Sequence, residues 1–171
     1  MNIRILSLKI IILAAVGLIG VTSSVLAQTK VGEKIGDWTL QCQAVSTKKN
    51  ICAISQVFIN TKTNQHVLSI DLRPAGDGSG VALVALAPLG TYLPSGLAAK
   101  VDEGKQFEFT WQRCSNQGCE AIAVIDQDIK TALKAGKALF VAYKLQPAAD
   151  AVTVSASLKG VAQGMEVLGI K

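Results

Sequence analysis

The chain has 171 residues, half of them hydrophobic but only 5% aromatic, with 17 Lys plus Arg against 12 Asp plus Glu, one His and four Cys. That is one domain's worth of chain, and its 15 Gly, 4 Pro and 17% charged residues exclude a collagen-like, low-complexity or disordered polypeptide, because enough apolar side chain is present to offset the entropy of ordering. The net charge of +5 is scattered apart from the pair Lys48-Lys49, so no nucleic-acid partner is expected.

The first segment reads as an export signal. Arg4 and Lys9 form a short basic region, the stretch from Ile10 to Val21 is apolar or glycine throughout, and Val25-Leu26-Ala27 offers small residues where a signal peptidase reads. The apolar stretch is shorter than the roughly 20 residues that cross a bilayer core as a helix. Cleavage after Ala27 is therefore expected, with residues 28–171 forming a single domain and no integral membrane span remaining. No Cys adjoins the cleavage point, so no lipid anchor is expected. Residues 1–27 carry two positive charges and no negative ones, which takes the net charge from +5 to +3.

All four Cys, Cys42, Cys52, Cys114 and Cys119, lie in the exported part, where an oxidising compartment favours disulfides over metal. Spacing favours Cys42 with Cys52 and Cys114 with Cys119. A zinc site is disfavoured because only the second pair has ligand spacing, and no C-x-x-C supports a thiol oxidoreductase.

Period-two alternation runs through the rest of the chain. Pairing Cys42 with Cys52 sets Leu40 against Ile54 and Thr39 against Ser55, with residues 45–49 in the connecting loop; Trp38, Leu40, Cys42, Cys52 and Ile54 then share one face. Strands follow at 67–73, with Leu68, Ile70 and Leu72 inward, and at 81–87. The latter, apolar on both faces, reads as a central buried strand in preference to an exposed adhesive surface. Between them, Gly76-Asp-Gly-Ser-Gly80 is a loop. A further strand covers 97–102.

Phe107, Phe109 and Trp111 alternate with Glu108, Thr110 and Gln112, and Ser115 to Gly118 forms a turn. Facing Cys114 to Cys119 sets Arg113 opposite Glu120, Trp111 opposite Ile122 and Phe109 opposite Val124, a charge pair and two aromatic to β-branched pairs. One short helix follows, capped by Asp126 or Asp128, with Ile129, Ala132 and Leu133 on one side and Gly136 as its stop. The last strands lie at 139–145 and 152–158. About nine short strands without strand-helix alternation predict an all-β antiparallel sandwich with one short helix and two local disulfides. An outer-membrane barrel would alternate likewise, but its strands need about 9–11 residues and these are mostly shorter.

No catalytic constellation emerges. His66 could join Asp71 and a Ser in a triad, yet no nucleophile elbow is present, and a solvated loop histidine is the simpler reading. Asp126 and Asp128 are better explained by helix capping than by paired-carboxylate chemistry or metal. Gly76 to Gly80 lacks the spacing of a phosphate or dinucleotide loop, and Asp77 alone makes no calcium site. Trp38 and Trp111 face the core by parity, which leaves no aromatic platform for sugar unless one of them is exposed. No catalytic, cofactor-binding or metal residues are assigned, and no cofactor is expected.

The constellation resembles the invasion-associated locus B family of Gram-negative bacteria. The resemblance rests on Trp38-x-x-x-Cys42, Cys52 after a short loop, Leu93-Pro94-x-Gly96-Leu97 leading to Val101-Asp102-x-Gly104, Cys114-x-x-x-Gly118-Cys119, and Ser157-Leu158-x-Gly160. The chain departs from the pattern at Leu97 and Lys100. The resemblance implies an exported, disulfide-bonded, all-β protein of the periplasm or cell surface, linked in pathogens to entry into host cells, with an envelope or host protein as partner and no site residues to carry over. The competing reading is a periplasmic carbohydrate-binding module or enzyme with a site assembled from dispersed loop residues.

Overall fold

The computed structural model describes residues 30–46, 49–76 and 80–170; the expected signal segment with its cleavage point, and Asp77, lie outside them. Ten strands lie among the described residues: β1 (Lys34–Ile35), β2 (Trp38–Ser46), β3 (Lys49–Asn60), β4 (Gln65–Pro74), β5 (Val81–Ala87), β6 (Leu97–Val101), β7 (Phe107–Ser115), β8 (Gly118–Ile125), β9 (Ala138–Tyr143) and β10 (Val152–Ser157). Helix α1 (Gln127–Ala135) separates β8 from β9, and α2 (Val161–Val167) follows β10. The sheet order is β1-β2-β3-β4-β5-β8-β7-β6-β9-β10, and every neighbouring pair is antiparallel.

A sheet of this width twists and curls on itself, giving a sandwich-like half-barrel. Its two arms face each other across a core of Ile54, Leu68, Ile70, Leu72 and Leu83 on one side and Leu97, Leu139 and Val141 on the other. Polar side chains tie the arms together. The Trp38 indole N–H donates to the Ser157 carbonyl at 2.8 Å and the Gln56 amide donates to the same oxygen at 2.6 Å, while the Tyr143 hydroxyl donates to the Val67 carbonyl at 2.8 Å. Leu133 of α1 and Val161 and Met165 of α2 are also buried in this core.

Cross-strand disulfides join Cys42 to Cys52 and Cys114 to Cys119. In the first hairpin Leu40 faces Ile54 and Thr39 faces Ser55, as the spacing predicts. The connection is tighter than expected, because β2 runs through Ser46 and pairs it with Lys49. In the second hairpin Arg113 faces Glu120, but Trp111 meets Ala121 in place of Ile122. A bulge at Gln112 accounts for the shift: one extra residue on β7 moves every later partner by one. The expected pairing of Phe109 with Val124 does not form, and on the other edge of β7 Phe109 faces Leu97 of β6.

Helix α1 begins where Asp126 accepts the Ile129 N–H at 2.8 Å, the capping geometry that satisfies an orphan donor of the first turn, and Gly136 ends it. The second helix, α2, is absent from the sequence reading, because Gly160 precedes it and Gly164 sits inside it, both poor helix formers. Packing overrides that preference: a Cβ at Gly164 would lie 2.5 Å from the Ile54 Cδ1, so glycine lets α2 lie close on β3 without displacing that side chain. The expected central strand, 81–87, is central and buried except at Leu86.

Candidate functional site

The face of β3, β4, β5 and β8 that points away from the core is the feature of interest. Its residues alternate with the core-facing ones, and the register aligns them in rows across four strands. Ser55, Asp71, Val84 and Ile122 form one row; Val57, Ser69, Leu86 and Glu120 form the next. Arg73, Ala82 and Val124 make a third. The helices make their main contacts with each other and with β1, β2 and β6, so this outer face has no helix as a cover.

For a solvent-side sheet face it is apolar. Val57 is 54%, Ile59 51% and Val124 72% exposed, whereas solvated faces of antiparallel sheets ordinarily carry polar side chains. Small residues of β5 are shielded between longer neighbours: Val84 lies between Asp71 and Ile122, Ala82 between Arg73 and Val124. At one end of the face, Ile51, Arg73, Pro74, Ala82, Ile122 and Val124 help to line a hollow of about 460 Å³.

A polar pair sits within this apolar setting. The Ser55 hydroxyl, 5% exposed, donates to the Asp71 carboxylate at 2.5 Å. Burial pushes the Asp71 carboxyl above the ordinary carboxylate range; the Ser55 hydrogen bond and the Arg73 charge pull the other way, and Glu120 adds to the rise. Glu120 itself is paired with Arg113 at 3.9 Å. The folded chain thus favours the protonated acid more than the unfolded chain does, and stability is lost as pH rises through the folded value. Asp71→Asn keeps an oxygen to accept from Ser55 and removes the charge. We expect it to be more stable than the parent at neutral pH, with the gap closing as pH falls through the carboxylate range, in urea unfolding at several pH values; an Asn variant less stable at pH 7 contradicts this.

The other sequence candidates are placed as follows. His66 Nε2 lies 2.7 Å from the Ser69 hydroxyl, but Asp71 bonds Ser55, so the structure assembles no Ser-His-Asp relay from His66 and Asp71. Asp126 is occupied as the cap of α1, and Asp128 lies in its first turn. Among the described residues no three of His, Cys, Asp and Glu gather as metal ligands. Trp38 is fully buried. Trp111 is half-buried and its indole donates to the Leu93 carbonyl at 3.1 Å. The Ser55 and Asp71 pair escaped the sequence reading because β4 shows Asp71 and Arg73 only as the polar half of an alternating strand; the apolar residues around them come from strands whose order the sequence does not state.

The family model for the Invasion associated locus B (IalB) protein matches residues 38–169. The chain belongs to the invasion associated locus B family. The crystal structure of invasion associated protein B from Bartonella henselae is similar to it, with a TM-score of 0.68 and 26% identity over 80% of this chain and 92% of that one. No curated protein matches the chain.

The residues that carry the resemblance to the IalB family have architectural work in this member. Trp38 and Ser157 tie the two arms. Asp102, at φ 47°, accepts the backbone N–H groups of Lys137 and Ala138 at 3.0 and 2.9 Å, and these bonds hold its carboxyl below the ordinary range. They fix the start of β9 beside the end of β6.

Proposed function

We propose that this protein is an exported, non-catalytic envelope protein that binds another protein through the outer face of β3, β4, β5 and β8, and that it contributes in this way to host-cell invasion or to contacts within the cell envelope. Its location on this reading is the periplasm or the cell surface. Membership of the invasion associated locus B family supports the biological setting. Among the described residues no helix is long and apolar enough to cross a membrane.

One observation carries the reading: an apolar sheet face with Val57, Ile59 and Val124 exposed around a carboxylate raised by burial. Exposed apolar patches mark interaction sites. The carbohydrate-binding or enzymatic alternative has less to stand on, since Trp38 is enclosed and His66 and Asp71 serve different hydroxyls. The test is a photoreactive residue placed at Val57 or Val124 and irradiated in intact cells. A discrete protein adduct is expected; an unmodified chain at both positions contradicts the proposal.

A further inference from the structure

Asp71 lies in the floor of the outer face, with the neutral Ser55 hydroxyl donating to its carboxylate at 2.5 Å. Ser55 and Val84 flank it in its row, and Ile122 follows Val84. The residue is half-buried, so its carboxyl keeps part of its water while the face is open. Few charged groups face it. Arg73 stands two residues along the same strand, and Glu120 of β8 is itself paired with Arg113 of β7 at 3.9 Å. The adjoining β3 residues Ala53, Ser55 and Val57 and the whole of β5 carry no ionisable side chain, and His66 is engaged with the Ser69 hydroxyl.

A partner that covers this face removes the water left to Asp71, and loss of water disfavours the charged form of a carboxyl. Arg73 restricts what the partner can bring instead. A basic group set over Asp71 would come up against the guanidinium beside it, so the surface that fits there is apolar, like Val84 and Ile122. Under an apolar cover the carboxylate is a buried charge without a partner, which costs far more than a neutral acid hydrogen-bonded to Ser55.

We propose that docking on the outer face is gated by protonation of Asp71: the neutral acid admits an apolar partner surface and the carboxylate excludes it. This rests on the outer face being the binding surface. The bound chain then holds the Asp71 proton more tightly than the free chain, so docking takes up a proton, is strongest at acid pH and weakens as pH rises through the free chain's value. Burial already holds that value above the ordinary carboxylate range, which moves the response toward neutral pH.

A photoreactive residue at Val124, irradiated in buffered suspensions of intact cells at neutral and at mildly acid pH, tests the gating. In the parent the adduct yield is expected to rise severalfold on acidification. In Asp71→Asn the high yield is expected at both pH values, because the amide is neutral throughout. Ser55→Ala removes the bond that favours the ionised form and is expected to move the loss of docking to higher pH. Equal yields at the two pH values in the parent, or the same gain on acidification in Asp71→Asn, overturn the gating and leave the face as a binding surface. No adduct at either pH overturns the binding surface and the gating together.

Discussion

Trp38→Ala is expected to lower the unfolding free energy by about 3–5 kcal/mol, the range for truncating a fully buried aromatic side chain. The indole is 0% exposed and stands where the two arms of the sheet meet, with its N–H on the Ser157 carbonyl at 2.8 Å. Truncation opens a void at the join and leaves Gln56 as the remaining donor to that oxygen. Trp38→Phe keeps most of the volume and loses the hydrogen bond, so it should recover most of the loss. Denaturant unfolding of the two variants checks this. A cost near 1 kcal/mol for Trp38→Ala, the size typical of an ordinary substitution, would mean the arms are held elsewhere.

The second large effect belongs to Gly160. It adopts φ +97°, and a Cβ there would stand 2.1 Å from the Ile35 carbonyl oxygen. Across the contact, a Cβ on Gly36 would lie 2.3 Å from the Lys159 carbonyl oxygen, and the Asp37 N–H donates to that oxygen at 3.0 Å. Two turns from opposite ends of the chain therefore meet backbone to backbone, which only glycine permits. Gly160→Ala combines the left-handed strain with a backbone clash and should cost about 3 kcal/mol or more. Gly90 supplies the control: its φ is +90° and an added methyl would meet no atom within 4 Å, so Gly90→Ala should cost only about 1–2 kcal/mol. Equal losses at the two positions would show that conformation alone, and not the close approach, matters at Gly160.

Much of the fold was legible because local pairing rules fix it. The Cys42 and Cys52 spacing gives the register of Leu40 with Ile54, and the continuous apolar run of 81–87 and the alternation of 152–158 place those strands within a residue of where they lie. The error in the second hairpin is instructive. Phe107, Phe109 and Trp111 share odd parity, but Cys114 is even, so a regular ladder cannot set all four on one side of β7. The chain resolves the conflict with the bulge at Gln112, and the parity mismatch was its visible sign. Helix α2 left no such sign, because its glycines serve contacts with Ile54 and Ile35 that exist only in three dimensions.

The candidate surface was less legible for a related reason. Val57, Ile122 and Val124 each belong to a strand that the sequence reveals, but their assembly into one face depends on β5 pairing with β8 across the excursion through β6 and β7. Strand 81–87 did raise the choice between a buried strand and an adhesive surface. The structure contains elements of both: the strand is central and buried, and it lies beneath a face whose exposed apolar residues come from its neighbours.

The most direct test of the outer face as a binding surface is photo-crosslinking in intact cells at Val57 and Val124, compared with the exposed Thr131 on α1 and Gln163 on α2. The account predicts the same discrete adduct from both outer-face positions, weakened by a Lys at the neighbouring one, and none from the helices. Adducts from the helix positions with none from Val57 or Val124 would contradict it.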